Sequence, residues 1–252
     1  MRVPGVTELL RNLGCLIAFL TRIPVSCHDV REAARGYPLV PLVGLLEGII
    51  VAATMHVAPE PGVAAALALI LHLLVTGGLH LDGFADYSDA MGAGARGETA
   101  ARIMKDPRRG GFALAYTIVL LVAKYAGFEA VWRSPLVVVA SYIAAAEAMY
   151  TVSALLPAPG YRGLGWLFRN LGVSRRGIAI NLVIYASAAL ATVLLEARRV
   201  LAALTAGAAM SLLVARDARL RLGYASGDVL GFAYETVHTA ALLVAALLEA
   251  RL

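Results

Sequence analysis

Charge is scarce in this chain. Of its 252 residues 15% are Asp, Glu, Lys or Arg, whereas 60% are hydrophobic, and a surface facing water on every side cannot be built from that remainder. Cysteine is scarcer still. Cys15 and Cys27 are the only two; they form no Cys-x-x-Cys spacing and no histidine cluster accompanies them, so neither a zinc site nor a disulfide framework is expected and both are read as free thiols. Linker-like composition, fixed-period repeats and any stretch resembling a soluble domain are also lacking, which leaves a single membrane domain over 1–252. The segment Val6 to Leu20 holds Glu8 and Arg11 in an apolar pattern and has no small-residue cleavage site. It is therefore read as an interfacial or partly inserted helix and not as a removed signal peptide.

What is present is a series of long apolar runs. Seven stretches reach or approach the roughly 20 residues that a membrane span needs: Tyr37 to His56, Pro61 to Leu79, Gly111 to Val131, Pro135 to Leu156, Ile178 to Leu195, Val200 to Val214 and Val229 to Leu248. The sixth is short. The expected fold is all-α, a polytopic bundle of about seven transmembrane helices in a lipid bilayer. Base exceeds acid, 22 against 17, but in such a composition the excess reports on sidedness and no nucleic-acid partner is implied. With the segment before Tyr37 cytoplasmic, fifteen arginines and lysines fall on that side, in 22–35, 96–109, 162–176 and 216–221, against four on the other. The positive-inside tendency then puts the loop of about 80–110 in the cytoplasm. Flat apolar helix faces are compatible with a homo-oligomer, for which no interface motif stands out.

Polar residues gather in a few places, and the densest is "GGLHLDGFADYSDA", Gly77 to Ala90. If the helix from Gly62 continues through it, Asp82, Asp86 and Asp89 recur at i, i+4 and i+7 and share one face. Three carboxylates on one face repel. Oxygen-only donors suit a hard divalent ion, magnesium or manganese, which keeps positions open for substrate phosphates. Gly83 leaves room on that face for a ligand to approach the backbone, and His80, just before the acids, is the histidine placed nearest to them. A solvated, arginine-paired helix end is the plainer alternative.

The glycine-rich stretch Met91 to Gly97 predicts a turn, and "ETAARIMKD" a short helix ended by Pro107. Lys105 is one of two lysines against twenty arginines; a compact point charge beside Asp106 suits phosphate chemistry. Lys105, Arg108 and Arg109 are candidates to clamp phosphate oxygens, with Asp106 completing a metal site. A second polar island, "GYASGDVLGFAYE", enters the last span. There Ser226 and Asp228 are good helix-starting residues, and Glu235 lies seven residues on, along the same helical face. Glu47, Glu147 and Glu235 lie inside predicted spans, where a carboxylate needs a partner or a polar interior; for Glu147 a plain hydrogen-bonded role is expected.

Together these stretches resemble the cobalamin synthase family. The likeness rests on "GGLHLDGFADYSDA", on "RIMKDPRRGGF", on "TRIPV" at Thr21 to Val25, on "PLVPLVGLLEG" at Pro38 to Gly48, and on "SGDVLGFAYE" at Ser226 to Glu235, in the family's order and over nearly the whole chain. Ser226, Phe232 and Ala90 stand where threonine, alanine and glycine are usual. The resemblance implies coupling of alpha-ribazole, or its 5'-phosphate, to adenosylcobinamide-GDP with release of GMP. It further implies that Asp82, Asp86, Asp89 and Asp106 hold one or two magnesium ions on the pyrophosphate. Lys105 with Arg108 would stabilise the GMP leaving group, and Asp89 or Asp228 would be the base for the ribazole hydroxyl. His80, Gly83, Arg109 and Glu235 complete the expected substrate contacts. Two readings compete. A CDP-alcohol phosphotransferase shares the chemistry but spaces its aspartates differently, and a cation transporter would line a pathway with acids near the bilayer midplane.

Overall fold

The computed structural model describes residues 5–108 and 110–249 and, among them, is entirely helical. Among the described residues six helices are long and apolar enough to cross a membrane, seven if one bent pair counts as a span. In chain order the elements are α1 (Val6–Leu20), α2 (Val30–Arg35), a 3-10 turn (Tyr37–Leu39), α3 (Val40–His56), α4 (Pro61–Thr76), α5 (Leu79–Gly92), α6 (Gly97–Met104), α7 (Gly111–Ala130), α8 (Pro135–Leu155), α9 (Leu164–Gly172), α10 (Arg175–Val193), α11 (Ala197–Arg221) and α12 (Gly227–Glu249). Prolines at the starts of α4 and α8 set φ where no intrahelical N–H bond is lost.

The bundle is built round α8, whose alanine-rich middle, Ala144 to Ala146, is buried on every side and flanked by Tyr142 and Tyr150. Small residues let its neighbours approach closely. On α3, Gly44 and Gly48 lie against the α8 backbone: a Cβ on Gly48 would come within 2.8 Å of the Val139 Cα. This Gly-x-x-x-Gly spacing is a general means of close packing where lipid removes the hydrophobic drive between helices. α11 and α12 flank α8, and α5 and α7 lie beyond α12. The outward faces of α7, α10 and α11 expose leucines and valines, as lipid-facing surfaces do.

Three expectations are corrected. Cys15 and Cys27 form a disulfide, with Cα atoms 4.8 Å apart: the chain leaving α1 turns back on it, a proximity that no spacing pattern reveals. The helix from Gly62 does not continue through the aspartates. It stops at Thr76, and α5 starts afresh at Leu79, turned by 93°. The sixth span is longer than expected, because α11 carries its helix on to Arg221.

Candidate active site

The break between α4 and α5 is made by Gly77 and Gly78, at φ +62° and +70°, a left-handed geometry that glycine adopts without steric cost. Arg22, from the "TRIPV" stretch, donates its backbone N–H to the Val75 carbonyl at 2.7 Å, and its side chain lies against Gly77. The turn lays α5 across the start of α12. Gly83 sits on the backbone of Asp228, where a Cβ would be 3.0 Å from the Asp228 Cα, and Gly231 faces the His80 carbonyl. The room expected at Gly83 for a ligand is therefore occupied by α12. Phe84 stacks on Phe232 at 5.2 Å, and His80 on Tyr234 at 4.0 Å. Ser226 caps α12 by accepting from the Val229 N–H.

Two motifs remote in sequence thus share one cavity of about 240 Å³. His80, Asp82 and Gly83 line it from α5, and Gly227, Asp228 and Gly231 from α12. Phe19, Leu20, Tyr37, Met149, Leu164 and Phe168 supply most of the apolar wall. Asp82 is exposed at this cavity, while Asp86, one helical turn on, is buried. Both acids and Asp228 have further interactions within the protein.

The remaining sequence candidates are distributed round this centre. Asp89 accepts from the backbone N–H groups of Gly110 at 2.6 Å and Ala113 at 2.8 Å, one on each carboxylate oxygen, and so caps α7. A side chain at Gly110 would collide with that carboxylate. Asp106 takes two side-chain hydrogen bonds from Arg108, at 3.0 and 2.8 Å, and one from its backbone. These hold its pKa down, at about 2. The Lys105 ammonium lies 4.3 Å from the centre of the Tyr161 ring, which meets Tyr224 edge-on. Burial, then the neighbouring Tyr224 and the charge of Asp228, raise the Tyr161 hydroxyl to about 12. Arg109 lies outside the described residues. Among the described residues no three His, Cys, Asp or Glu side chains converge closely enough to hold a metal unaided.

Glu235 does not line the cavity. It is fully buried in the bundle, bonded to Lys124 and, at 3.2 Å, to His72. His72 also bonds the Tyr142 hydroxyl at 3.0 Å, His238 stacks on His72, and the Tyr234 hydroxyl donates to Glu47 at 2.5 Å. Sequence reasoning missed this cluster, apart from its glutamates. Its signal was Lys124, the other of the two lysines, in the middle of an apolar span. Glu147 behaves as expected, accepting from Thr151 and Asn181 between α8 and α10. At the far end of α5, Arg221 bonds the carbonyls of Ala90 and Ala95, and Tyr87 donates to Asp217, which fastens α5 to α11.

Comparison with known proteins agrees with this picture. Residues 12–246 match the family described as cobalamin-5-phosphate synthase. An adenosylcobinamide-GDP ribazoletransferase of Halorubrum lacusprofundi is 36% identical over 250 residues, covering 93% of this chain and 96% of that protein. Those of Stutzerimonas stutzeri (35% identical; 93% and 98% covered) and Bradyrhizobium diazoefficiens (30% identical; 97% of each) are similar along their whole lengths. No solved structure matches the chain. With the family match spanning almost every residue, and two of the motifs meeting on one cavity, the chain belongs to the cobalamin-5-phosphate synthase family.

Proposed function

We propose that the cavity between α5 and α12 is where alpha-ribazole, or its 5'-phosphate, is joined to adenosylcobinamide-GDP with release of GMP. The reaction is the family's, a transfer in assembly of the cobalamin nucleotide loop, and membership sets aside the CDP-alcohol phosphotransferase and transporter readings. The observation that carries the placement is the meeting of the "HLDG" and "SGD" motifs, with Asp82 and Asp228 lining the same cavity.

The donors there fit magnesium, with manganese as an alternative. Asp82 and Asp86 are one turn apart on α5, Asp228 lines the same cavity as Asp82, and all are oxygen donors. Without a protein-only cage among the described residues, the fitting ion is one that takes one or two carboxylates and completes its shell with substrate phosphates. When bound, it would neutralise charge on the diphosphate oxygens. Asp82 and Asp228 line the cavity whereas Asp89 and Asp106 do not, so those two, with Asp86 one turn on from Asp82, are the better placed acids. Lys105, with Arg108, is suited to the phosphate oxygens of the departing GMP. Asp228 is the favoured acceptor for the proton of the attacking ribose hydroxyl, since it lines the cavity and Asp89 does not. The chain acts as one membrane domain with its catalytic segment at about 80–110. The excess of arginine on that side supports a cytoplasmic site.

The test is GMP release by purified, detergent-solubilised protein given both substrates, with magnesium and with a chelator. Turnover is expected only with the metal, and Asp82→Asn is expected to abolish it while leaving the melting temperature unchanged. Near-normal turnover in a folded Asp82→Asn protein would remove Asp82 from the site.

A further inference from the structure

The cavity has two unlike parts. Asp82 and Asp228 are its charged groups, and apart from them, His80 and the hydroxyl of Tyr37 its walls are apolar side chains and glycines. Three of those walls are aromatic and mutually braced: Phe19 and Phe168 have ring centres 5.0 Å apart, and Tyr37 meets Phe168 edge-on at 5.1 Å. Aromatic rings so arranged offer faces and edges to a further flat ring. The volume is about 240 Å³. It lies below the ~300 Å³ at which pockets begin to enclose whole drug-sized ligands. A single fused bicyclic base fits; a corrin macrocycle does not.

We infer that this apolar part is the subsite for the azole base of alpha-ribazole, and that the corrinoid and the guanine of the donor stay outside it. The inference rests on the functional reading above and decides which substrate part enters. Two flat bases take part in the reaction, and hydrogen bonding separates them. Guanine carries several donors and acceptors on its edges, and each acceptor left bare against leucine and phenylalanine forfeits its hydrogen bond to water without replacement. A ribosylated benzimidazole-type base retains one ring nitrogen as acceptor. Two buried polar atoms of the cavity's lining residues have no hydrogen-bond partner among the described residues, His80 Nε2 and the Tyr37 hydroxyl, and either can donate to that nitrogen. A neutral imidazole with its proton on Nε2 donates one hydrogen bond. Seated against Phe168 and His80, the base would hold its ribose beside Asp82 and Asp228, at the charged part of the cavity. The donor would approach from the side of Lys105, whose ammonium lies over the Tyr161 ring.

The experiment measures KM for each substrate separately in the full chain in detergent, and direct binding of free alpha-ribazole by calorimetry. Leu164 lines the cavity yet is 47% exposed, so Leu164→Trp narrows the subsite without burying a new side chain. It is expected to raise KM for alpha-ribazole tenfold or more, with KM for adenosylcobinamide-GDP within twofold of wild type. His80→Ala is expected to weaken alpha-ribazole binding about tenfold, one buried hydrogen bond, and His80→Gln to recover part of the loss. Should Leu164→Trp not fold, Leu164→Ala serves, with weaker binding of alpha-ribazole and better tolerance of a bulkier base. An effect falling on adenosylcobinamide-GDP, or equally on both substrates, overturns the assignment. If the wild type binds alpha-ribazole saturably but releases no GMP, the functional reading fails while the binding data still decide the subsite. Alpha-ribazole binding that is indifferent to Leu164→Trp, in an enzyme that turns over, refutes the subsite alone.

Discussion

Lys124 and Glu235 are an ion pair with no exposed side-chain surface, shared with His72 at 3.1 Å from the lysine and 3.2 Å from the glutamate. Replacing Lys124 by methionine keeps the length of the side chain and removes the charge, leaving Glu235 with His72 as its remaining partner in this cluster. Breaking a buried pair from one side costs about 3–5 kcal/mol, because an uncompensated charge stays behind. Insertion scales price an acid at mid-membrane similarly, at about 2.5–3.5 kcal/mol. At about 2–4 °C per kcal/mol for a chain of this size, Lys124→Met should lower the melting temperature by roughly 6–20 °C. The double variant Lys124→Met/Glu235→Gln removes both charges and should regain most of that loss, since buried pairs replaced together are often close to neutral. The assay is thermal unfolding in detergent, followed by the fluorescence of the chain's two tryptophans. A single variant that melts within about 2 °C of wild type, or a double variant as unstable as the sum of its singles, would refute the reasoning.

Other outcomes follow from particular contacts. Asp89→Ala should destabilise the protein by about 1–2 kcal/mol through loss of the α7 cap, and Asp89→Asn, which keeps one acceptor, by less. An Asp89→Asn protein with wild-type melting but no GMP release would instead assign Asp89 to the chemistry. Gly231→Ala places a Cβ 2.7 Å from the His80 carbonyl and should cost about 1–3 kcal/mol in melting experiments, more than Gly83→Ala, whose nearest neighbour is 3.0 Å away. Cys15 and Cys27 should resist thiol labelling until the protein is reduced. Closing a loop of this length contributes about 3 kcal/mol, which melting with and without reductant measures.

Much of the bundle was legible because hydrophobic length is a local property. The spans from Tyr37, Gly111 and Pro135 begin where the apolar runs begin. The short helix before Pro107 ends at Met104, and Ser226 caps α12 as its type suggests. What failed were statements requiring distance. Hydropathy carries Pro61 to Leu79 as one run, whereas Gly77 and Gly78 break it and turn the aspartate helix by 93°. Nor does residue type reveal that the α7 backbone bonds Asp89 or that Arg108 bonds Asp106.

The sequence by itself determined the class of molecule, most of the membrane spans, the family motifs and therefore the reaction, since all of these are written in composition, run length and local order. Only the tertiary structure decided which acids share a cavity, that Gly83 serves helix packing, that Glu235 is spent on Lys124 and His72, and that two cysteines twelve apart meet. The physical reason is that apolar burial is summed along a segment, whereas a site is fixed by a few backbone torsions and by glycine contacts between segments far apart in the chain.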